Sequence, residues 1–178
     1  MEIGSVSNEE SVEQVLSWSL MPNAPKIIFM YISSIDTSGH RHGPYSKELN
    51  SSLIELDDAI GRLVKGLKHE CRQTNLLVVS DHGMAATSDD KIIRLVELVP
   101  LEYLEHFDGG AVVSLWPKKG KEDVVLERLR SKQSKLYPHH FEIYQSKSDL
   151  NKYPFHYSKS VRIAPIILQC EPGWMICK

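Results

Sequence analysis

Four residues of this chain, Asp36, His40, Asp81 and His82, are of the types and at the spacings that bind a metal ion. In residues 36–40 (DTSGH) a carboxylate and an imidazole stand four positions apart; in residues 81–84 (DHGM) they are adjacent and followed by a glycine. Hard carboxylate oxygen combined with borderline imidazole nitrogen suits zinc, with manganese or iron as next choices. Each motif alone also has an ordinary reading: Asp36 capping a polar turn with His40 at the surface, and an Asp-Gly type turn with an incidental His82. Together they say more. Two carboxylates and two imidazoles exceed the three protein ligands of a usual catalytic zinc and fall short of two complete sets. The best fit is therefore a dinuclear site completed by groups outside these motifs. Ions paired about 3.5–4 Å apart activate an attacking oxygen, stabilise a leaving oxygen and neutralise a phosphoryl group, so phosphoryl chemistry follows.

The elements that must position these groups are legible around them. Residues 26–33 (KIIFMYIS) form a nearly unbroken apolar run of strand length ending just before Asp36, and residues 75–80 (NLLVVS) form a second one opening onto Asp81. Continuous apolar runs of this length are expected of strands covered on both faces, as in a parallel sheet. Between them Leu49, Leu53, Leu56, Ile60, Leu63 and Leu67 recur at alternating intervals of four and three. That spacing predicts an amphipathic helix of about six turns, ended by Gly66 or by the polar run 68–74. Strand, helix, strand is a βαβ unit, which places both motifs at the carboxyl edge of one sheet, where α/β proteins put their active sites. The turn at Asp81 must be sharp to aim both of its ligands at one ion, and Gly83 is expected to ease it.

Upstream, residues 10–20 read as a short helix stopped by the two prolines of 21–25. Downstream the spacing suggests a short helix at 92–98, a strand at 111–116, a helix at 121–132, a strand at 141–144 and another at 162–169, with Pro165 favouring an edge or a bulge. The fold class is α/β, in one domain-sized piece spanning 1–178.

With 42% apolar and 25% charged residues the chain can bury a core. Its net charge of −2, without a cluster of Lys or Arg, argues against binding of a nucleic-acid polymer through phosphate neutralisation and leaves a small nucleotide ligand open. No signal peptide or membrane-length apolar run is present in the 178 residues. Cys71, Cys170 and Cys177 lack CxxC spacing, which excludes a compact cysteine site; a short Cys170–Cys177 disulfide and buried free thiols are equal alternatives. His42 is read as a surface residue or one that supports the ligands. His69, His106, His139 and His140 are read as solvated loop residues, and His156 as structural. Tyr31 is expected either to line a pocket or to pack in the core.

Residues 31–43 (YISSIDTSGHRHG), the amphipathic helix and NLLVVSDHGM at 75–84 resemble the ectonucleotide pyrophosphatase/phosphodiesterases of the alkaline phosphatase superfamily. The segment 10–22, and FHYSKSVRIAPIIL followed by Gly173-Trp174, resemble further stretches of the same family. The resemblance implies part of an alkaline-phosphatase-like α/β/α sandwich with a mostly parallel central sheet. It further implies two zinc ions, Asp36 and His40 holding one and Asp81 and His82 the other. Tyr31 matches an aromatic position near the family's substrate pocket. The substrates implied are small nucleotides or other phosphodiesters, and the location implied is extracellular or membrane-anchored. The family's nucleophilic threonine has no counterpart here: Thr37, Thr74 and Thr87 are not in nucleophile-like contexts, and His156 precedes the R-I-x-P stretch and is not a further ligand.

These implications lead to the expectation of a fragment of a zinc phosphodiesterase catalytic domain, inactive on its own. A noncatalytic interaction protein, a fragment completed by a partner, and a phosphomutase or sulfatase-like member of the superfamily are the alternatives.

Overall fold

The computed structural model describes residues 6–70, 74–145 and 160–178, so Cys71 and His156 lie outside the described residues. The chain divides into two compact units, 1–86 and 87–178, and all four candidate ligands belong to the first.

The first unit is built on helices. α1 (Asn8–Ser19) opens with a capping box: Glu10 N donates to Ser7 Oγ at 3.1 Å, and Ser7 N donates to the Glu10 carboxylate at 2.8 Å. Both bonds satisfy amides at the start of the helix, and the bonds that the Glu10 carboxylate accepts from Ser7 N and Ser7 Oγ hold that carboxyl below its ordinary range. α2 (Ser34–His42) is followed by α3 (Lys47–Glu70), whose first turn is capped by Ser46 Oγ accepting from Leu49 N at 3.1 Å. Val12 of α1 and Ala59, Leu63 and Leu67 of α3 are buried together, with Val15, Leu16 and Met30 packed against them. Each large side chain so buried stabilises the unit by roughly 1.5–3 kcal/mol.

The stripe foreseen for α3 is therefore buried only in part. Leu49, Leu63 and Leu67 are buried, whereas Leu53 is exposed, because α1 and α2 cover only part of the stripe. Gly66 does not end the helix. A β-carbon there would come within 2.6 Å of Leu16 Cδ2, so Gly66 lets the two helices approach, and α3 runs on through the polar residues to Glu70. Glu9 and Arg62 form an ion pair between the same two helices.

Segments 26–33 and 75–80 differ from expectation. Neither is a hydrogen-bonded strand, and Phe29, Tyr31, Leu77 and Val79 are exposed. Apolar content marks them for burial, but a strand exists only through a neighbour's ladder, and among the described residues neither segment has one.

The second unit carries the sheets. β2 (Leu104–Asp108), β3 (Val112–Pro117), β4 (Phe141–Gln145) and β5 (Ile166–Cys170) form a four-stranded antiparallel sheet in the order β2-β3-β5-β4. Burial alternates along β3 and β5, so Val113, Leu115, Ile166 and Leu168 line one face. Against them pack Phe141, Val125 and Leu129, the last two from α5 (Glu122–Leu136). β1 (Ile92–Arg94) pairs in parallel with β6 (Met175–Cys177), and α4 (Leu95–Leu98) follows β1 directly, so the helix foreseen at 92–98 is strand for its first half. β5 is interior rather than an edge. Pro165 stands immediately before it and removes no ladder donor. The α/β class holds, with the parallel pairing in β1 and β6 and antiparallel pairing in the larger sheet.

Candidate metal centre

α2 begins one residue after the apolar segment 26–33, so the DTSGH motif is helical rather than a turn. Four positions are about one turn of an α-helix, and Asp36 and His40 therefore share a face. His40 Nε2 lies 3.4 Å from Asp36 Oδ1. The helix stops at Gly43, whose φ of 89° is left-handed and whose N–H donates to Gly39 O at 2.8 Å.

Asp81 and His82 follow segment 75–80 on an irregular turn. Ser80 Oγ donates to the His82 carbonyl at 2.6 Å, and the His82 amide donates to Asp81 Oδ1 at 3.1 Å. Gly83 needs no left-handed backbone, so side-chain bonds from Ser80 and Asp81, rather than glycine freedom, hold this turn. His82 Nδ1 is 2.9 Å from the Gly83 carbonyl. When Nδ1 carries the proton, it donates to that oxygen and leaves the Nε2 lone pair free for a cation. His82 Nε2 stands 3.6 Å from Asp81 Oδ2 and 3.9 Å from Asp36 Oδ1. The Gly83 carbonyl, then the Asp81 charge, and to a lesser degree that of Asp36, raise the His82 pKa above its ordinary value.

Asp36 Oδ1 thus receives an imidazole nitrogen from each motif. The atom itself is buried and has no hydrogen-bond donor, as is Ser34 Oγ nearby in sequence. A buried carboxylate oxygen without a donor is costly unless a cation neutralises it. The separations suit that role: with metal–ligand lengths near 2.0–2.1 Å, two ligands of a tetrahedral ion lie about 3.3 Å apart. The donor set is incomplete, however. Among the described residues no three His, Cys, Asp or Glu side chains are arranged around one point, so each pair offers two ligands and requires others.

Tyr31 is 82% exposed in segment 26–33 and makes no hydrogen bond among the described residues. His42 is exposed on α2. His106 is not a loop residue: it lies on β2, 3.2 Å from Asp108 Oδ1, with its ring 5.1 Å from that of Trp116. His140 stacks on Trp174 at 3.9 Å. Cys170 and Cys177 are free thiols, the second of the two alternatives.

A model of the type I phosphodiesterase / nucleotide pyrophosphatase family matches residues 4–178. The chain belongs to that family. Human bis(5'-adenosyl)-triphosphatase ENPP4 is 33% identical over 97% of the chain and 37% of the human protein. An uncharacterised pyrophosphatase/phosphodiesterase of Schizosaccharomyces pombe is 31% identical over 94% of the chain and 36% of its own length. Murine ectonucleotide pyrophosphatase/phosphodiesterase 5 superposes with a TM-score of 0.82 at 30% identity, covering 98% of this chain and 45% of the murine one. An inactive threonine-to-alanine variant of the murine protein, in complex with AMP, matches with a TM-score of 0.81 at 30% identity, over 97% and 45% of the two chains. The chain shares the α/β, alkaline-phosphatase-like fold of these relatives and spans a little over a third of the length of the first curated ones. No described helix of this family member is long and apolar enough to cross a membrane.

Proposed function

We propose that this chain carries part of the two-zinc centre of a nucleotide pyrophosphatase/phosphodiesterase, Asp36 and His40 holding one ion and Asp81 and His82 the other. The observation that supports it most is Asp36 Oδ1, buried without a donor while His40 and His82 approach it from two motifs at 3.4 and 3.9 Å. A bound zinc pair supplies charge neutralisation for a phosphoryl group and lowers the pKa of the attacking group. The chain's own residues do the rest of the positioning. Gly83 O fixes the His82 ring so that Nε2 faces the other donors, and Ser80 and Asp81 hold the turn. The substrate class is a small nucleotide or related phosphodiester, with Tyr31 as a contact to it. The ectonucleotide relatives accord with an extracellular or membrane-anchored setting.

No threonine of the 178 residues is assigned as nucleophile. Hydrolysis is therefore assigned to the family's complete catalytic domain, of which this chain spans a part. Titrating AMP into the chain with and without zinc, and assaying p-nitrophenyl thymidine monophosphate alongside, tests both statements. The expected result is zinc-dependent AMP binding that Asp81→Ala weakens, with negligible turnover. AMP binding indifferent to zinc and to Asp81→Ala would overturn the metal-centre reading. Robust zinc-dependent turnover lost in Asp81→Ala would overturn the assignment of hydrolysis to the complete catalytic domain.

A further inference from the structure

Gly39 is the buried residue of α2, and what covers it is the tail of Met84. A β-carbon at position 39 would overlap Met84 Sδ, lie 2.8 Å from Met84 Cε and touch Leu49 Cδ1 at 3.9 Å. Met84 thus lays its thioether in the notch left by the missing side chain. The two residues also belong to different motifs: Gly39 immediately precedes His40, and Met84 stands two positions after His82. The polar contacts between the motifs are too weak to fix their spacing. They run at 3.9 Å between side chains that are 43% and 56% exposed, where solvent screens attraction and side-chain entropy opposes it. An apolar plug seated in a backbone notch is short-ranged and shape-dependent, and it does fix spacing.

We propose that Gly39 and Met84 are positioning residues that set the distance between the Asp36/His40 pair and the Asp81/His82 pair, and so the geometry offered to two divalent ions. The inference rests on the reading of those pairs as ion ligands. Met84 fills the notch with the flexible end of an unbranched side chain. Gly39→Ala therefore expels the thioether without forcing the helix backbone to move.

The test is a double-mutant cycle on the full chain labelled at methionine methyl groups, comparing Gly39→Ala, Met84→Ala, the double variant and Met84→Leu. Two readouts are followed, the metal-free spectrum and zinc affinity by chelator competition. In the metal-free chain, Gly39→Ala should move the Met84 methyl resonance toward its unfolded position and shift the ring-proton resonances of His40 and His82 together. Met84→Ala should shift the same ring protons, and Met84→Leu, which conserves volume, should leave them in place. Zinc affinity should fall about tenfold in each single variant and no further in the double one, because both changes remove one contact. Independent, multiplying losses would overturn the proposal. So would an unmoved Met84 methyl in Gly39→Ala, or unmoved histidine rings in both truncations. A wild-type chain that takes up no zinc while the ring protons respond as expected would overturn the ion reading and leave the notch and plug standing.

Discussion

His82 Nε2 lies 3.9 Å from Asp36 Oδ1, so an imidazole delivered by the DHGM turn and a carboxylate delivered by α2 meet at one oxygen. That oxygen is buried and accepts no hydrogen bond. The arrangement has opposite consequences with and without a cation.

Asp36→Asn is expected to separate the two. The amide keeps the size of the carboxylate and can donate toward the imidazole nitrogens, so the metal-free chain should melt at the same temperature or slightly higher. Loss of the charge should lower zinc affinity at least about tenfold, the scale on which even supporting groups act. Differential scanning fluorimetry and chelator competition on the same samples measure both; a lower melting temperature with unchanged zinc affinity would contradict the role given to Asp36.

His82 sets the pH dependence. Its folded-state pKa is raised above 6.5 by the Gly83 carbonyl first and by Asp81 next. The protonated form is therefore favoured in the folded chain. That contribution is fully present below the ordinary histidine value and is lost as pH rises through the higher folded value. Zinc needs the same ring neutral, so apparent affinity should fall with decreasing pH from a point above 6.5. An NMR titration of the His82 ring in the metal-free chain should give a midpoint above that of His82 in Gly83-containing unfolded peptides; a lower midpoint would remove the Gly83 contact from the account.

The thiols of the second unit should react in order. Burial, then the neighbouring Cys177, push Cys170 up to about 11, whereas Cys177 is only half-buried. Since the thiolate is the nucleophile, iodoacetamide at mildly alkaline pH should label Cys177 well before Cys170. Peptide mapping by mass spectrometry reads the order, and equal rates would show that Cys170 is not buried in solution.

Phe141 is fully buried between β4 and the α5 side of the sheet. Phe141→Ala should cost about 3–5 kcal/mol through lost burial and a residual cavity. Urea denaturation checks this, and a loss below about 1 kcal/mol would mean that the second unit's core is packed differently.

Much of this was legible before the structure. The four-and-three spacing announced α3, the spacing at 121–132 announced α5, although Val124 there is exposed, and the apolar runs at 111–116 and 141–144 announced β3 and β4. Residue type and spacing nominated Asp36, His40, Asp81 and His82 as candidate ligands, and the structure brings Asp36 near both histidines. What was hidden depends on distant partners. Residues 26–33 and 75–80 have the composition of buried strands, yet pairing decides whether strand forms. β2 contains His106 and Asp108 and so does not read as apolar, and the three residues of β6 are strand only through their pairing with Ile92–Arg94. Residues 36–40 read as a polar turn, whereas in the structure they are helical and Gly39 leaves the space that the Met84 thioether fills.

The most direct test of the metal centre is isothermal titration of zinc into the metal-free chain, alongside Asp36→Ala, Asp81→Ala and a variant with all four ligands replaced by alanine. The account predicts saturable uptake by the wild-type chain, weakened in Asp81→Ala, weakened further in Asp36→Ala where both motifs lose their shared oxygen, and abolished in the fourfold variant. Identical uptake by the wild-type and fourfold chains would contradict it.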